Sequence, residues 1–484
     1  MSEIDWKPEK TSSIPLYRQI SNYIKLKILN GEWTVGTKLP PQRILAKRFQ
    51  VNRSTIVTAI EELIADGLIE SKIGSGTRVV NNTWSLMSSA PPPDWISYVQ
   101  SGIHEPNTSI IQEINKAEAD PSIIRLGTGE LSPDLLPNKQ MEKVLQQNEK
   151  KTFSLGYVEP KGSPSLRKTV SEYLQTKGID ASPASILIVS GGLQALQLIS
   201  IGLLKRGSTI LHETPSYLNS VHVFQSAGMH LFGISLDDQG IICHSIGRLK
   251  RQHNGALLYT IPSFHNPTGV LMSENRRNQL LEVCKKEALP IIEDDVYGDL
   301  WFDNLPPKSL KANDKQGNVL YIGSISKTLS PGLRIGWIVG PEPVIDRLSD
   351  IKMQTDYGSS SLSQYAVEKW LKSGMYEDYL KQIRVQLRFR RDFTIQILNK
   401  YFSEIATWST PKGGFYIWLR LSLGISIQKL FNAALQEGIL LNPGSVYDKN
   451  DQQHLRLSYS YASLEELEKG LICLSELIKR LAYK

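Results

Sequence analysis

Two different spacings of apolar residues divide this chain. From about Pro15 to Val80 the spacing is helical and the segments are short. Leu16, Ile20, Tyr23, Ile24, Leu26 and Ile28 mark a first helix that ends near Asn30-Gly31. Beyond Leu39-Pro40-Pro41 a second helix is expected over Gln42 to Phe49, and after the turn Gln50-Val51-Asn52 a third runs through about Ala65. In the third, Ile56, Ile60 and Leu63 fall at i, i+4 and i+7, which gives it one buried face. Asn52 is placed to cap its start and Gly67 to close its end. LIESKI and TRVV then flank Gly74-Ser75-Gly76, the signature of a hairpin.

Residues 81–120 break this rhythm. NNTWSLMSSAPPPDW contains consecutive prolines, which stiffen the chain and deny it helix and sheet alike, so this stretch reads as a linker. Across residues 121–484 strand-like runs alternate with helical patterns: ILIVS, a helix from Leu193 to Leu204, STILHE, ALLYTIP, a helix around 274–287, PIIEDD, VLYIGS and RIGWIVG. Such alternation predicts an α/β domain with a mostly parallel sheet and helices on both faces. Past Pro343 the pattern is helical through about Lys400, and a small α+β piece with PKGGFYIWLRL and QHLRLSY follows. Residues 14–80, three helices and a hairpin with a tight turn between the second and third helices, read as a winged helix-turn-helix.

Composition changes this picture little, and charge changes it more. At 484 residues, 40% hydrophobic and 21% charged, the chain is ordinary for a soluble multidomain protein. No apolar run approaches the roughly 18 residues needed to span a bilayer, and the opening MSEIDWKPEK has no apolar signal core, so a cytoplasmic protein without a membrane partner is expected. Cys243, Cys284 and Cys473 are far apart and odd in number, which fits reduced thiols and neither a disulfide frame nor a metal site. The net charge is +7, and residues 1–80 hold 12 Lys/Arg against 8 Asp/Glu, so the excess is concentrated where a polyanion would be met.

In a helix-turn-helix the second helix of the pair enters the major groove, and its first residues reach bases or phosphates. Here those residues are Arg53, Ser54 and Thr55, at a helix start that already favours an anion. Arg43 opens the preceding helix beside them. In the wing, Gly74, Ser75, Gly76 and Thr77 allow close approach to a phosphate, with Lys72 and Arg78 supplying charge. The strings PLYRQI, LPPQRILA, VNRSTIV and GSGTRVV resemble the GntR family of bacterial regulators, with Pro41 and Asn52 where that family usually has serine. The resemblance implies double-stranded operator DNA as a partner.

The second constellation centres on Lys327 in GSISKTLSPGLRIGW. A lysine forms a Schiff base when a carbonyl cofactor is held beside it. Pyridoxal phosphate needs an acid for its ring nitrogen, donors for its ring oxygen, an aromatic face and a phosphate cradle. Asp294 ends a strand, where parallel sheets place ligand contacts, and can serve the ring nitrogen. Tyr297 and Asn266 can serve the ring oxygen, and Tyr217 can stack. Ser190-Gly191-Gly192 sits at a strand-to-helix junction suited to phosphate, with Ser324, Ser326 and Arg334 closing the cradle.

Residues 120–484 resemble the fold-type I pyridoxal-phosphate enzymes, the aspartate aminotransferase superfamily, through GYVEPKGSPSLR, SGGLQAL, ETPSY, NPTG, DDVY, SISKTLSPGLRIGW, PKGGFYIW and HLRLSY. Leu193 departs from the commoner Gly-Ser-Gln loop. This resemblance implies pyridoxal 5'-phosphate on Lys327, a ligand carboxylate on Arg456, and Tyr157 reaching the partner subunit's phosphate in a dimer. A GntR-type reader joined to such a domain is similar to the MocR-type regulators. That implies a head-to-tail homodimer that senses pyridoxal phosphate, an amino-compound effector, or both. The sequence leaves open an active aminotransferase that carries a DNA-binding extension.

Overall fold

The computed structural model describes residues 6–72, 75–80, 95, 101, 107–146 and 156–482. Two compact units divide the chain, Met1–Gly102 and Ile103–Lys484.

In the first unit α1 (Leu16–Leu29), α2 (Gln42–Phe49) and α3 (Arg53–Ala65) are followed by the antiparallel pair β1 (Ile69–Lys72) and β2 (Gly76–Val79). The apolar stripes meet as expected: Ile20, Ile24 and Ile28 pack with Leu45, Phe49, Ile56, Ile60 and Leu63. Trp6 stacks on Tyr23 with ring centroids 4.6 Å apart and covers this core from outside the motif. Leu26 lies within α1, off the Ile20–Ile24–Ile28 face, and is 56% exposed. One expectation is corrected. Asn52 occupies the cap position of α3 with extended backbone, yet its side chain makes no capping bond. The carbonyl of Asn52 instead accepts from the Thr55 N–H at 3.1 Å. Gly74, placed in the wing by its sequence, lies outside the described residues.

The second unit opens with a helix, Ser109–Ala117, inside the stretch read as linker. Ile111, Ile114 and Ala117 are buried in the large core, an amphipathic signal too short to stand out beside the neighbouring prolines. The short β3 (Ile124–Arg125) comes next. The main sheet is then built from β4 (Ile186–Val189), β5 (Thr209–Thr214), β6 (His230–Asp237), β7 (Gly240–Ile241), β8 (Gly255–Thr260), β9 (Ile291–Asp294), β10 (Val319–Ser324) and β11 (Gly336–Val339). Its order is β4-β11-β10-β9-β8-β5-β6-β7. Pairing is parallel from β10 through β6, and β11 runs antiparallel to both neighbours. β4, β9, β10 and β11 are buried throughout, as strands covered on both faces must be.

The strand β6 escapes sequence reading because it is half-exposed and interrupted by Gly233, where a Cβ would strike the Thr214 side chain of β5. A second sheet holds β12 (Ala406–Trp408), β13 (Tyr416–Leu421), β15 (Asn442–Pro443) and β16 (His454–Ser458) in the order β12-β13-β16-β15, while β14 (Ile439–Leu440) pairs with β3. No helix among the described residues is long and apolar enough to cross a membrane.

Because the first unit has its own core, Ile24→Ala should destabilise it by about 2–4 kcal/mol. The expected readout is faster amide exchange in α1–α3 with exchange in β8–β10 unchanged.

Candidate functional site

Parallel strands end at the same edge of their sheet. Since β4 and β10 are each antiparallel to β11, they run parallel to one another, and β4, β5, β8, β9 and β10 all deliver their following residues to one side. There they border a cavity of about 450 Å³. Lys327, Asp294, Tyr297, Asn266, Tyr217 and Arg456 all line it, as do Gly192, Ser324, Ser326 and Arg334.

Local geometry explains each position. Gly191 has φ +92° and caps the helix Gly192–Leu203; a Cβ there would run into the Arg334 guanidinium. Arg334 itself takes a left-handed φ of +53° and donates to the Ser190 carbonyl at 2.7 Å; Ser190 and Gly191 touch Arg334 in this way but do not themselves line the cavity. The hydroxyl of Ser324 lies 3.1 Å from that of Ser326. Lys327 Nζ donates to the Gly129 carbonyl at 2.6 Å, so the amine is held at the wall and faces the cavity.

Asp294 is buried, accepts from the Tyr259 hydroxyl at 2.7 Å through Oδ2, and has no partner for Oδ1. Burial raises its carboxyl pKa to about 6, against the Tyr259 hydroxyl bond, which favours the ionised form. Arg456 projects from the middle of the second sheet between the rings of Tyr416 and Tyr447, at 4.3 and 4.8 Å from their centroids. It donates to Asn266 Oδ1 at 2.9 Å and to the Gly127 carbonyl at 2.7 Å, while its Nε has no partner.

Several of these neighbours were not singled out in the sequence. Tyr416 lies within the quoted PKGGFYIW string and sets its hydroxyl 2.9 Å from that of Tyr297. Tyr259, Tyr447, Asn442 and Glu118 carry no periodic or spacing signal, and they meet the site only because distant strands and the Ser109–Ala117 helix converge on it. Tyr157 does not join the cavity; it is 88% exposed, with its ring centroid 5.1 Å from that of Tyr357.

On the first unit Arg43, Arg53, Ser54, Ser75 and Gly76 are exposed and Thr55 is half-buried. Thr77 corrects an expectation: it is buried and directs its hydroxyl to Ser71 at 3.2 Å, so its side chain is not offered to a phosphate. Lys72 is exposed but paired with Glu70 at 3.0 Å, and Arg78 donates to the Gly36 carbonyl at 3.1 Å. Lys38, which the sequence did not mark, lies against the wing; a Cβ on Gly76 would come within 2.9 Å of its Cε.

These two surfaces have matching relatives. Residues 16–79 match the family described as bacterial regulatory proteins, gntR family, and residues 121–472 match aminotransferase class I and II. An uncharacterized HTH-type transcriptional regulator of Bacillus subtilis, YisV, is 56% identical over 99% of both chains. The chain belongs to the GntR family, in its MocR-type branch. The HTH-type transcriptional regulator NorG of Staphylococcus aureus is 37% identical over 92% of this chain and 100% of its own. Among solved structures, the kynurenine aminotransferase of Pyrococcus horikoshii is similar over 78% of this regulator and 95% of its own chain, with a TM-score of 0.73 and 31% identity. The α-aminoadipate aminotransferase LysN of Thermus thermophilus, solved with N-(5'-phosphopyridoxyl)-L-leucine, matches 80% of the regulator and 99% of its own chain at a TM-score of 0.71 and 28% identity. This is a transcriptional regulator with a DNA-binding domain and an aminotransferase-like domain, a fold that implies pyridoxal phosphate.

The elevated pKa of Asp294 has a definite sign. Its folded value near 6 exceeds the ordinary 3.8, so the ligand-free protein keeps this site's full stability below pH 3.8 and loses it as pH rises through 6. The loss reaches about 3 kcal/mol at pH 8 and roughly half that at pH 5. Asp294→Asn should therefore raise the melting temperature of the ligand-free protein, by more at pH 8 than at pH 5.

Proposed function

We propose that this regulator binds pyridoxal phosphate covalently at Lys327 and reads an amino compound through it to control operator binding. The observation that carries the reading is the buried, unpartnered Oδ1 of Asp294 in the cavity that also holds Lys327. A buried carboxylate oxygen without a partner is costly, and a protonated ring nitrogen supplies the missing donor. When bound, the cofactor contributes an aldehyde that condenses with amines.

The remaining roles belong to the chain's own groups. Lys327 Nζ is the attachment atom, oriented by the Gly129 carbonyl. Tyr259 steadies Asp294 from behind. Tyr297 and Asn266 take the ring oxygen and Tyr217 the ring face. The phosphate falls to Ser190, Gly191, Gly192, Ser324, Ser326 and Arg334, whose guanidinium occupies the space left by the missing Cβ of Gly191. Arg456, with a free Nε, takes the effector's carboxylate. In a head-to-tail homodimer the exposed Tyr157 reaches the partner's phosphate.

On the DNA side Arg53, Ser54 and Thr55 enter the groove, and Arg43, Lys72, Ser75, Gly76 and Lys38 hold the backbone. Thr77, turned inward to Ser71, takes no part. An effector shifts the balance between arrangements only by its differential affinity for them. The helix Ser109–Ala117, inside the stretch read as linker, lines the cavity and so lets an occupant act on that stretch.

A second reading, amino-group turnover, is favoured by the bond between Arg456 and Asn266 and by the enzymes among the solved relatives. Steady product formation from amino donors would promote it.

Borohydride treatment of the yellow protein should fix the cofactor's mass on the peptide containing Lys327 and leave Lys327→Ala unlabelled. Arg53→Ala should weaken binding to the operator by about 1–3 kcal/mol, measured at constant salt, and unchanged binding would refute its place in the groove.

A further inference from the structure

The cavity has a polar wall that the cofactor contacts leave unused. Arg456 and Asn442 face one another in register on β16 and β15, both line the cavity, and they are 7% and 6% exposed. Each carries one side-chain atom without a partner, Nε of Arg456 and Oδ1 of Asn442. Buried polar atoms left in this way mark where a ligand's own polar groups complete the bonding. Along another part of the lining runs the helix Ser109–Ala117, which presents Ile111, Ile114 and Asn115, with Glu118 just past its end. This i, i+3, i+4, i+7 spacing sets one face toward the cavity.

Glu118 is held there. Its Oε1 accepts from the hydroxyl of Thr128, itself buried, at 2.8 Å. That partner is neutral, and the carboxylate's charge acts on the Arg456 guanidinium across the cavity lining. Glu118 also lies near enough to Arg456 and Tyr447 to bear on both. The lining therefore pairs a cation able to take a carboxylate with an anion able to take a second cation, and puts apolar Ile111 and Ile114 beside them.

We propose that Glu118 selects the effector: an amine bearing a carboxylate for Arg456 and a second, cationic group for Glu118, such as a diamino acid. The same charge disfavours acidic side chains. This rests on the reading above, in which amines reach the cofactor at Lys327. Glu130 also borders the cavity but is exposed, and provides the comparison.

The test uses full-length protein loaded with pyridoxal phosphate, titrated with L-lysine, L-norleucine and L-glutamate while the cofactor's absorbance band is followed. Lysine should bind ~10-fold more tightly than its neutral counterpart norleucine, and glutamate more weakly than either. Glu118→Gln, which keeps an acceptor for Thr128, should bring the lysine-to-norleucine ratio close to one, while Glu130→Gln preserves it. The ratio carries the result, so a general loss of folding does not imitate it. An unchanged ratio in Glu118→Gln, or a collapse in Glu130→Gln instead, overturns the assignment. If no amine moves the band although borohydride still labels Lys327, the amine-sensing reading fails and this inference falls with it.

Discussion

A strand buried on both faces has no place for an unpaired polar side chain along its length. In the large unit β4, β9 and β10 are buried throughout, so polar chemistry is displaced to the strand ends, and parallel pairing puts those ends side by side. Glu293 shows what an exception requires. It sits one residue inside β9, where burial and then Asp295 raise its carboxyl pKa, and it is held by the backbone N–H groups of Leu310 and Lys311 at 2.7 and 2.8 Å. Asp294, one position later and on the cavity side, is given one hydroxyl donor and an oxygen left over. The difference between these adjacent acids is that Glu293 is satisfied by backbone donors while Asp294 keeps an oxygen free at the cavity.

The same constraint shapes Arg456. A guanidinium in the middle of a small sheet is tolerated because two aromatic faces, a carbonyl and a carboxamide surround it. That environment fixes the fork in place before any ligand arrives, which lowers the ordering cost of binding. Tyr416 links this group to Tyr297, since its ring touches Arg456 and its hydroxyl meets that of Tyr297. Two parts of the cavity lining are thus joined by one chain of contacts.

The first unit follows a different logic, because a DNA reader must keep its working groups outside. Its core is complete without them: Ile56, Ile60 and Leu63 turn one face of α3 inward and leave Arg53 and Ser54 in solvent. In the wing, alternation along β2 sends Thr77 and Val79 inward and Gly76 and Arg78 outward, so neighbouring residues of one motif have opposite uses.

The sequence by itself determined the helices of the first unit, the alternation of the second and the order of the strand-end motifs, because each depends on spacing within one segment. It placed Lys327, Asp294 and Asn266 at the ends of strands, and the fold brings them to one cavity. It missed β6, whose burial is set by the neighbouring β5, and read Ser109–Ala117 as linker because a helix so short is held by what it packs on. Only the tertiary structure decided that Thr77 faces inward, that Lys38 lies against the wing, and that Tyr259, Tyr416, Asn442 and Glu118 belong to the site. Tyr259, Tyr416 and Asn442 meet residues of the site from separate strands, and that long-range packing is not encoded in local periodicity.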